Sequence, residues 1–350
     1  MHEAPLVSVI IPVYNAEVFL PRLVELIRGQ SFLRWETCFI IGGGGDESAS
    51  IITKAIREDR RMKMIVQPNQ GVSVARNRGI RETQSETFTF IDVDDLVLPT
   101  YLEILYSAYN QGPEKPDWIM GGWSPLHLGE GLRELKADVV GEKMRFAHLN
   151  RGFLTQWLTG VVWAKLFNRA WFKTTGIFFD ESLTVGEDTL FMQEVLLRSR
   201  KVIDMSTYRG YGYRLPETGM SLSSRKKHEY IVSRLCILKK ILDFHRLEKI
   251  DYKSRVIYLA NMQNSLSSLM EAIKVNGIQK TYDMLYKLFP EAPWRLVNGV
   301  CRRWRVYAIV FVIGMRTKVG LLVALYVYAR IRQLQCWYGS LRAIVGLKVI

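Results

Sequence analysis

Short apolar runs alternate with amphipathic stretches through the first hundred residues. Val7 to Val13 is β-branched and broken only by Ser8 and Pro12, which suits a strand buried on both faces. Within residues 16–29, Phe19, Leu20, Leu23, Leu26 and Ile27 recur at helical spacing. The same alternation predicts strands at 37–41, 62–66 and 88–91, and helices at 48–57 and 72–83. Strand and helix thus succeed one another about every 30 residues, the mark of an α/β fold with a mostly parallel sheet. Such sheets bind ligands beyond the carboxyl ends of their strands. Tyr14-Asn15, the run Gly42-Gly43-Gly44-Gly45 and the acids after Ile91 all fall at that edge. Past residue 116 the pattern loosens: 117–122 predicts a strand, 153–164 mixes Trp157 and Trp163 with turns, 188–198 is helical, and 228–290 reads as amphipathic helices.

The fourth strand ends in Asp92-Val93-Asp94-Asp95. Carboxylates this crowded repel one another, so a pKa among them should rise. A divalent cation removes that penalty, because hard oxygen ligands suit Mg²⁺ or Mn²⁺, commonly shared with substrate phosphates. The residues therefore predict a metal-assisted site for a phosphorylated donor; the competing reading is an acidic turn at a strand end.

Charge adds a second theme. The 350 residues carry 48 Lys and Arg against 34 Asp and Glu, a net charge of +14. Nine of those bases lie in residues 301–350, which hold no acid. The excess therefore belongs chiefly to the C-terminus and accompanies long apolar runs, which argues against a nucleic-acid groove. Cys38, Cys236, Cys301 and Cys336 lack metal-ligand spacing and read as reduced thiols. The five histidines, His2, His127, His148, His228 and His245, form no cluster. A first strand starting at Leu6, without a visible signal peptide, predicts a cytosolic face.

The order of motifs resembles the family 2 inverting glycosyltransferases of the GT-A fold, especially bacterial enzymes of lipopolysaccharide core, capsule or exopolysaccharide assembly. The likeness rests on Ser8-Val9-Ile10-Ile11-Pro12-Val13-Tyr14-Asn15, Gln30-Ser31-Phe32, Asn69-Gln70-Gly71, Ala75-Arg76-Asn77-Arg78-Gly79 and Phe90-Ile91-Asp92-Val93-Asp94-Asp95. It continues through Val162-Trp163-Ala164-Lys165-Leu166-Phe167 and Gly186-Glu187-Asp188-Thr189-Leu190-Phe191. It implies a GT-A domain at 1–222, followed by a helical extension at 223–300. The expected reaction moves a sugar from a nucleotide-sugar, commonly a UDP-sugar, to a hydroxyl of a growing surface glycan or lipid-linked oligosaccharide.

The same resemblance implies residue roles. Asp188 would be the catalytic base, with Glu187 orienting it or the acceptor. Asp94 and Asp95 would meet Mn²⁺ or Mg²⁺. Pro12, Val13, Tyr14, Asn15, Gly42, Gly43, Asp46, Arg76, Asp92, Val93 and Asp94 would line the donor. Trp163, Lys165 and Arg214 fall where acceptor contacts are expected, and Tyr211 and Tyr213 precede a segment, Ser221-Leu222-Ser223, that closes over the donor in the family. Asp at a helix start is also a favoured N-cap, Arg76 could be a surface arginine, and a Trp is more often core than ligand. One departure stands out. The family's second strand usually ends Asp-Asp-Gly-Ser-Thr-Asp, with an acid contacting the base; here those positions read Ile41-Gly42-Gly43-Gly44-Gly45-Asp46. Glycine N–H groups could replace part of that contact. The alternative is a catalytically impaired homologue serving as a membrane-bound scaffold.

At 301–350, Val306–Met315 and Val319–Ala329 are apolar runs separated by Arg316 and Lys318. Neither reaches the about 18–20 residues that span a bilayer. With Trp304, Tyr307, Tyr326, Tyr328 and Trp337 beside the bases, they predict helices lying on an anionic membrane surface. The predicted location is peripheral, on the cytoplasmic face of a bacterial inner membrane; the competing reading is a helical pair packed on the protein.

Overall fold

The computed structural model describes residues 3–127, 145–146 and 160–215. The expected helices at 228–290, the basic segment 301–350 and Ser221-Leu222-Ser223 lie outside the described residues.

The first half follows the alternation read from the sequence. Strands β1 (Val7–Val13), β2 (Trp35–Ile41), β3 (Met62–Val66) and β4 (Thr87–Phe90) alternate with helices α1 (Leu20–Arg28), α2 (Ser48–Glu58) and α3 (Val72–Glu82). After β4 come β5 (Leu96–Val97), α4 (Tyr101–Asn110), β6 (Trp118–Gly121), β7 (Trp123–Leu126) and β8 (Arg145–Phe146). Then follow β9 (Lys165–Asn168), α5 (Arg169–Thr175), α6 (Glu187–Arg198), β10 (Val202–Met205) and β11 (Tyr211–Arg214).

Eight strands form the main sheet in the order β3-β2-β1-β4-β9-β6-β10-β8. β1 runs parallel to both β2 and β4, and β2 runs parallel to β3. β9 enters antiparallel between β4 and β6, so the sheet is mixed at its centre. A second, three-stranded sheet, β5-β11-β7, stands at the acidic edge. It was not evident from the sequence because its strands are two or four residues long and carry little periodicity.

Both faces of β1 are covered. Val7, Val9, Ile11 and Val13 join the large core with Leu20, Leu23 and Ile27 of α1. Cys38 and Ile40 of β2 pack beneath Ala75 of α3 on the other side. The Gln30-Ser31-Phe32 motif is a strut between α1 and α4. Buried Gln30 donates through Nε2 to the Leu26 and Leu98 carbonyls and accepts from the Leu102 amide at 3.0 Å.

Helix α3 approaches β1 closely because residue 79 is glycine. A Cβ there would lie 2.3 Å from Ile10 Cγ2. Overpacking a filled interior typically destabilises by about 1–3 kcal/mol. Gly79→Ala should therefore lower the urea midpoint by a free energy in that range, without a change in m-value.

Candidate functional site

Four chain segments converge at the carboxyl edge of β1, β2 and β4. The centre is Arg76 on α3, only 3% exposed. Its Nη2 donates to Asp92 Oδ1 at 3.0 Å, and Nη1 reaches Asp188 Oδ1 at 2.5 Å and Glu187 Oε1 at 3.3 Å. One guanidinium thus joins the acids after β4 to the first turn of α6. A planar fork with several fixed donors can do this, whereas an ammonium is a point charge. Arg76 is therefore no surface arginine: burial opposes its charge, yet Asp188, Asp92 and Glu187 outweigh that and raise its pKa above the ordinary arginine value.

Asp188 is not a helix cap either. Gly186, at φ 82°, occupies the cap of α6, and Asp188 stands within the first turn. Its pKa is driven well up by burial; Arg76 opposes this, while Glu187 and Asp92 add to it. The neighbouring residue of the arginine motif, Asn77, locks the approach to this helix. Its Nδ2 donates to the Phe179 carbonyl and Glu181 at 2.9 Å each, and its Oδ1 accepts from the Phe179 amide at 2.8 Å. The motif Ala75-Arg76-Asn77-Arg78-Gly79 by itself assigns Asn77 no role; a buried Asn with its amide engaged on both atoms is visible only in three dimensions.

The three predicted carboxylates of the acid run divide their tasks. Asp92 belongs to the Arg76 fork. Asp95 is 1% exposed, and its oxygens accept from the Tyr211 hydroxyl at 2.6 Å and the Arg214 amide at 2.8 Å. Burial, then Asp92 and Asp94, pushes Asp95 up to about 8. Asp94 is partly exposed and, among the described residues, joins no ion pair. Burial and Asp92 raise its pKa too. The Tyr211 hydroxyl also accepts from the Asp92 amide at 3.2 Å, so β11 braces the acid turn from the small sheet.

Among the described residues, no group of three or more His, Cys, Asp or Glu side chains is arranged to hold a metal ion. A cation at this edge would therefore need oxygens from a ligand as well. Mg²⁺ typically uses one or two carboxylates and takes its remaining oxygens from phosphates and water. Asp94 fits that part; Asp95 accepts one hydrogen bond on each oxygen, which leaves each a second lone pair.

The glycine run forms the opposite rim. Gly42 donates its amide to the Val13 carbonyl at 3.0 Å. Gly43 and Gly44 have φ of 75° and 131°, conformations that favour glycine. Beside them, Tyr14 is 55% exposed and Asn15 has φ 46°. Asp46 latches two loops together, accepting from the Glu17 amide at 3.0 Å and from the Ser48 amide and hydroxyl. Pro12 and Val13 end β1, and Val93 sits partly buried between the acids.

The residues expected on the acceptor side are placed differently from one another. Trp163 is 4% exposed, stacks on Tyr211 and Tyr213 at centroid distances of 4.9 and 5.0 Å, and meets Trp123 edge-on. That packing leaves it no open face for a sugar ring. Lys165 is buried and donates to the Trp163 carbonyl at 3.2 Å. Arg214 lies on the acid side, its Nε donating to the Asp94 carbonyl at 3.0 Å.

A mixed α/β sheet with clustered acids and a glycine rim at its carboxyl edge is the architecture of a GT-A glycosyltransferase. The chain belongs to glycosyl transferase family 2, whose profile matches residues 8–175. It is 37% identical over 291 residues to the putative glycosyltransferase EpsH of Bacillus subtilis, covering 81% of this chain and 82% of EpsH. The uncharacterized glycosyltransferase EpsJ of the same organism is 28% identical over 211 residues; the match spans 57% of this chain and 58% of EpsJ. Among solved structures, residues 1–349 of S. aureus TarS in complex with UDP-GlcNAc superpose with a TM-score of 0.70 at 18% identity, covering 93% of this chain and 91% of that one. That likeness concerns the fold.

Removing the cation from a buried cluster leaves its acids uncompensated, at about 3–5 kcal/mol. Arg76→Met should lose that much stability at pH 8. Asp188 already holds its proton more tightly folded than unfolded, so its contribution falls as pH rises from the ordinary carboxylate range toward its raised value. The deficit of Arg76→Met should accordingly shrink at pH 5, as compared by urea unfolding at the two pH values.

Proposed function

We propose that this glycosyltransferase is a metal-dependent, inverting enzyme that moves a sugar from a nucleotide-sugar to a hydroxyl of a growing bacterial surface glycan. The observation that carries this reading is the Arg76 fork, which sets Asp188 across from the acid run that ends in Asp94 and Asp95. One carboxylate can then act on the acceptor while others face the donor. The UDP-GlcNAc bound by TarS favours a UDP-sugar among possible donors.

On this reading, Asp188 takes the proton of the acceptor hydroxyl. The hydroxyl oxygen attacks the anomeric carbon as the bond to the diphosphate oxygen breaks, and a single displacement inverts that carbon. Arg76 meets Asp188 at Oδ1 and steadies its charge, and Glu187 orients it. Asp94 and Asp95 would hold Mg²⁺ or Mn²⁺, and the cation would supply Lewis-acid neutralisation of the leaving group. Tyr14, Asn15, Gly42 and Gly43 line the nucleotide side. The acceptor is a glycan or glycolipid, and the basic, apolar residues 301–350 hold the enzyme to an anionic, cytoplasmic membrane surface where a lipid-linked acceptor would be presented.

The acids missing at Ile41 and Gly42 favour a second reading, in which the chain binds without turning over and serves as a membrane-bound scaffold. Transfer or hydrolysis of a panel of nucleotide-sugars, with Mn²⁺ and with EDTA, separates the two. A positioned general base contributes about 10²–10⁴-fold. Asp188→Asn should lose turnover by that factor and keep its donor affinity. Asp94→Asn should instead lose the Mn²⁺-dependent part of donor affinity, measured by calorimetry. Wild-type turnover that ignores EDTA would remove the metal from the scheme.

A further inference from the structure

A cavity of about 280 Å³ opens between the last turn of α3 and α5, and none of Arg76, Asp92, Asp94, Asp95 or Asp188 lines it. Small-molecule sites typically run from about 300 to 1,000 Å³, with mostly apolar walls and a few polar groups that fix orientation. This cavity stands at the small end of that range. Its wall is apolar: Ile80, Phe172 and Ile177 are buried, and Phe178 stands beside them at 42% exposure.

The charges on the cavity are all of one sign. Arg81, Arg169 and Lys173 line it, and no Asp or Glu does. Arg169 is 5% exposed and donates to the Ser85 carbonyl at 2.6 Å, the Ile80 carbonyl at 3.0 Å and the Thr83 hydroxyl at 2.8 Å. These contacts close the C-terminal end of α3, where the helix dipole favours a cation. They are neutral oxygens, and a buried charge is costly unless it is paired as well as hydrogen-bonded. Glu36, the acid whose charge acts on Arg169, already pairs with Lys63 at 2.8 Å. Lys173 is exposed and meets Gln84 Oε1 at 3.5 Å; among the described residues neither it nor Arg169 joins an ion pair. Arg81 lies 3.9 Å from Glu181, a long contact to a carboxylate oxygen that also accepts from Asn77, and its guanidinium sits over the Phe178 ring.

We propose that this cavity binds a small anionic amphiphile free in solution: an apolar chain lying against Ile80, Phe172 and Ile177, with a carboxylate head met by Arg81 and Lys173. A neutral apolar ligand would leave the cations unmatched, and an inorganic anion would leave the wall in water. Of the apolar wall only Phe178 is exposed, which suits one chain entering a recess and not a bilayer face, where a broad apolar surface must be buried. The site is independent of the roles assigned to Asp188 and to a metal.

The test uses the full chain with ¹³C-labelled isoleucine methyl groups, Ile80 and Ile177 being assigned from Ile80→Val and Ile177→Val. Decanoate is the probe, with decanol as the same chain without charge and acetate as the head without the chain. Decanoate should shift both methyl resonances along one saturable curve. Decanol should bind about tenfold more weakly or worse, and acetate should leave both resonances in place. The double variant Arg81→Gln/Lys173→Gln changes two exposed side chains and should raise the decanoate Kd by about tenfold or more, as loss of charge-assisted contacts requires. Resonances of Ile80 and Ile177 that decanoate does not move overturn the proposal. So does equal affinity for decanol, or a decanoate Kd unchanged in the double variant, because either result removes the anion. Shifts produced by phosphatidylglycerol vesicles and not by free decanoate would overturn it in favour of a membrane contact.

Discussion

The arrangement at the carboxyl edge depends on one buried cation among acids. Asp92 follows β4, while Glu187 and Asp188 begin α6 almost a hundred residues later. Brought together without Arg76, those carboxylates would drive the two segments apart. The fork of Arg76 turns that repulsion into a fixed separation. A buried ion pair of this kind adds little net stability against an apolar replacement. Its Nε is buried with no hydrogen-bond partner, a further cost. What the arginine contributes is therefore geometry, and the fold supports it: Gly79 lets α3 sit close on β1, and Asn77 ties the loop before α6 to the same helix.

Much of the fold was legible because its first half is built from long, periodic elements. The run from Val7 to Val13 and the amphipathic pattern of α1 leave few alternatives, and their observed bounds differ from the expected ones mainly at the ends. The small sheet was hidden. Leu96–Val97 has no period to read, and Tyr211–Arg214 pairs with Trp123–Leu126 from a distant part of the chain. Only the folded structure shows that Tyr211 on that sheet holds Asp95 and braces the acid turn.

The site was legible in its residue types and less so in their tasks. An acid run at a strand end announces charge crowding, and that crowding is present: Asp94 and Asp95 both have raised pKa values. Which acid faces outward is decided by the turn. Asp95 points into Tyr211 and the Arg214 amide, whereas Asp94 stays at the surface. Trp163 shows the same limit from the other direction. Its type suits a sugar, but the tyrosines at 211 and 213 cover it. Asp46, the acid that survives in the glycine run, spends its oxygens on Glu17 and Ser48.

Charge balance connects these details. Arg76 offers one positive charge to three carboxylates, and the acids at 94 and 95 lie near the same turn. A diphosphate donor would bring more negative charge to this edge. Simple Coulomb repulsion in a partly buried site makes such an approach unfavourable unless positive charge arrives with it. Arg214 is placed to help, with its Nε fixed on the Asp94 carbonyl and its guanidinium over Phe19. The proposed cation would complete the balance on the donor side, as Arg76 does on the side of Asp188. The two requirements differ in kind. The donor side needs charge that can leave with the product, which a bound ion shared with phosphate provides. The proposed base needs charge that stays, and a covalently attached side chain, buried where water cannot screen it, meets that requirement.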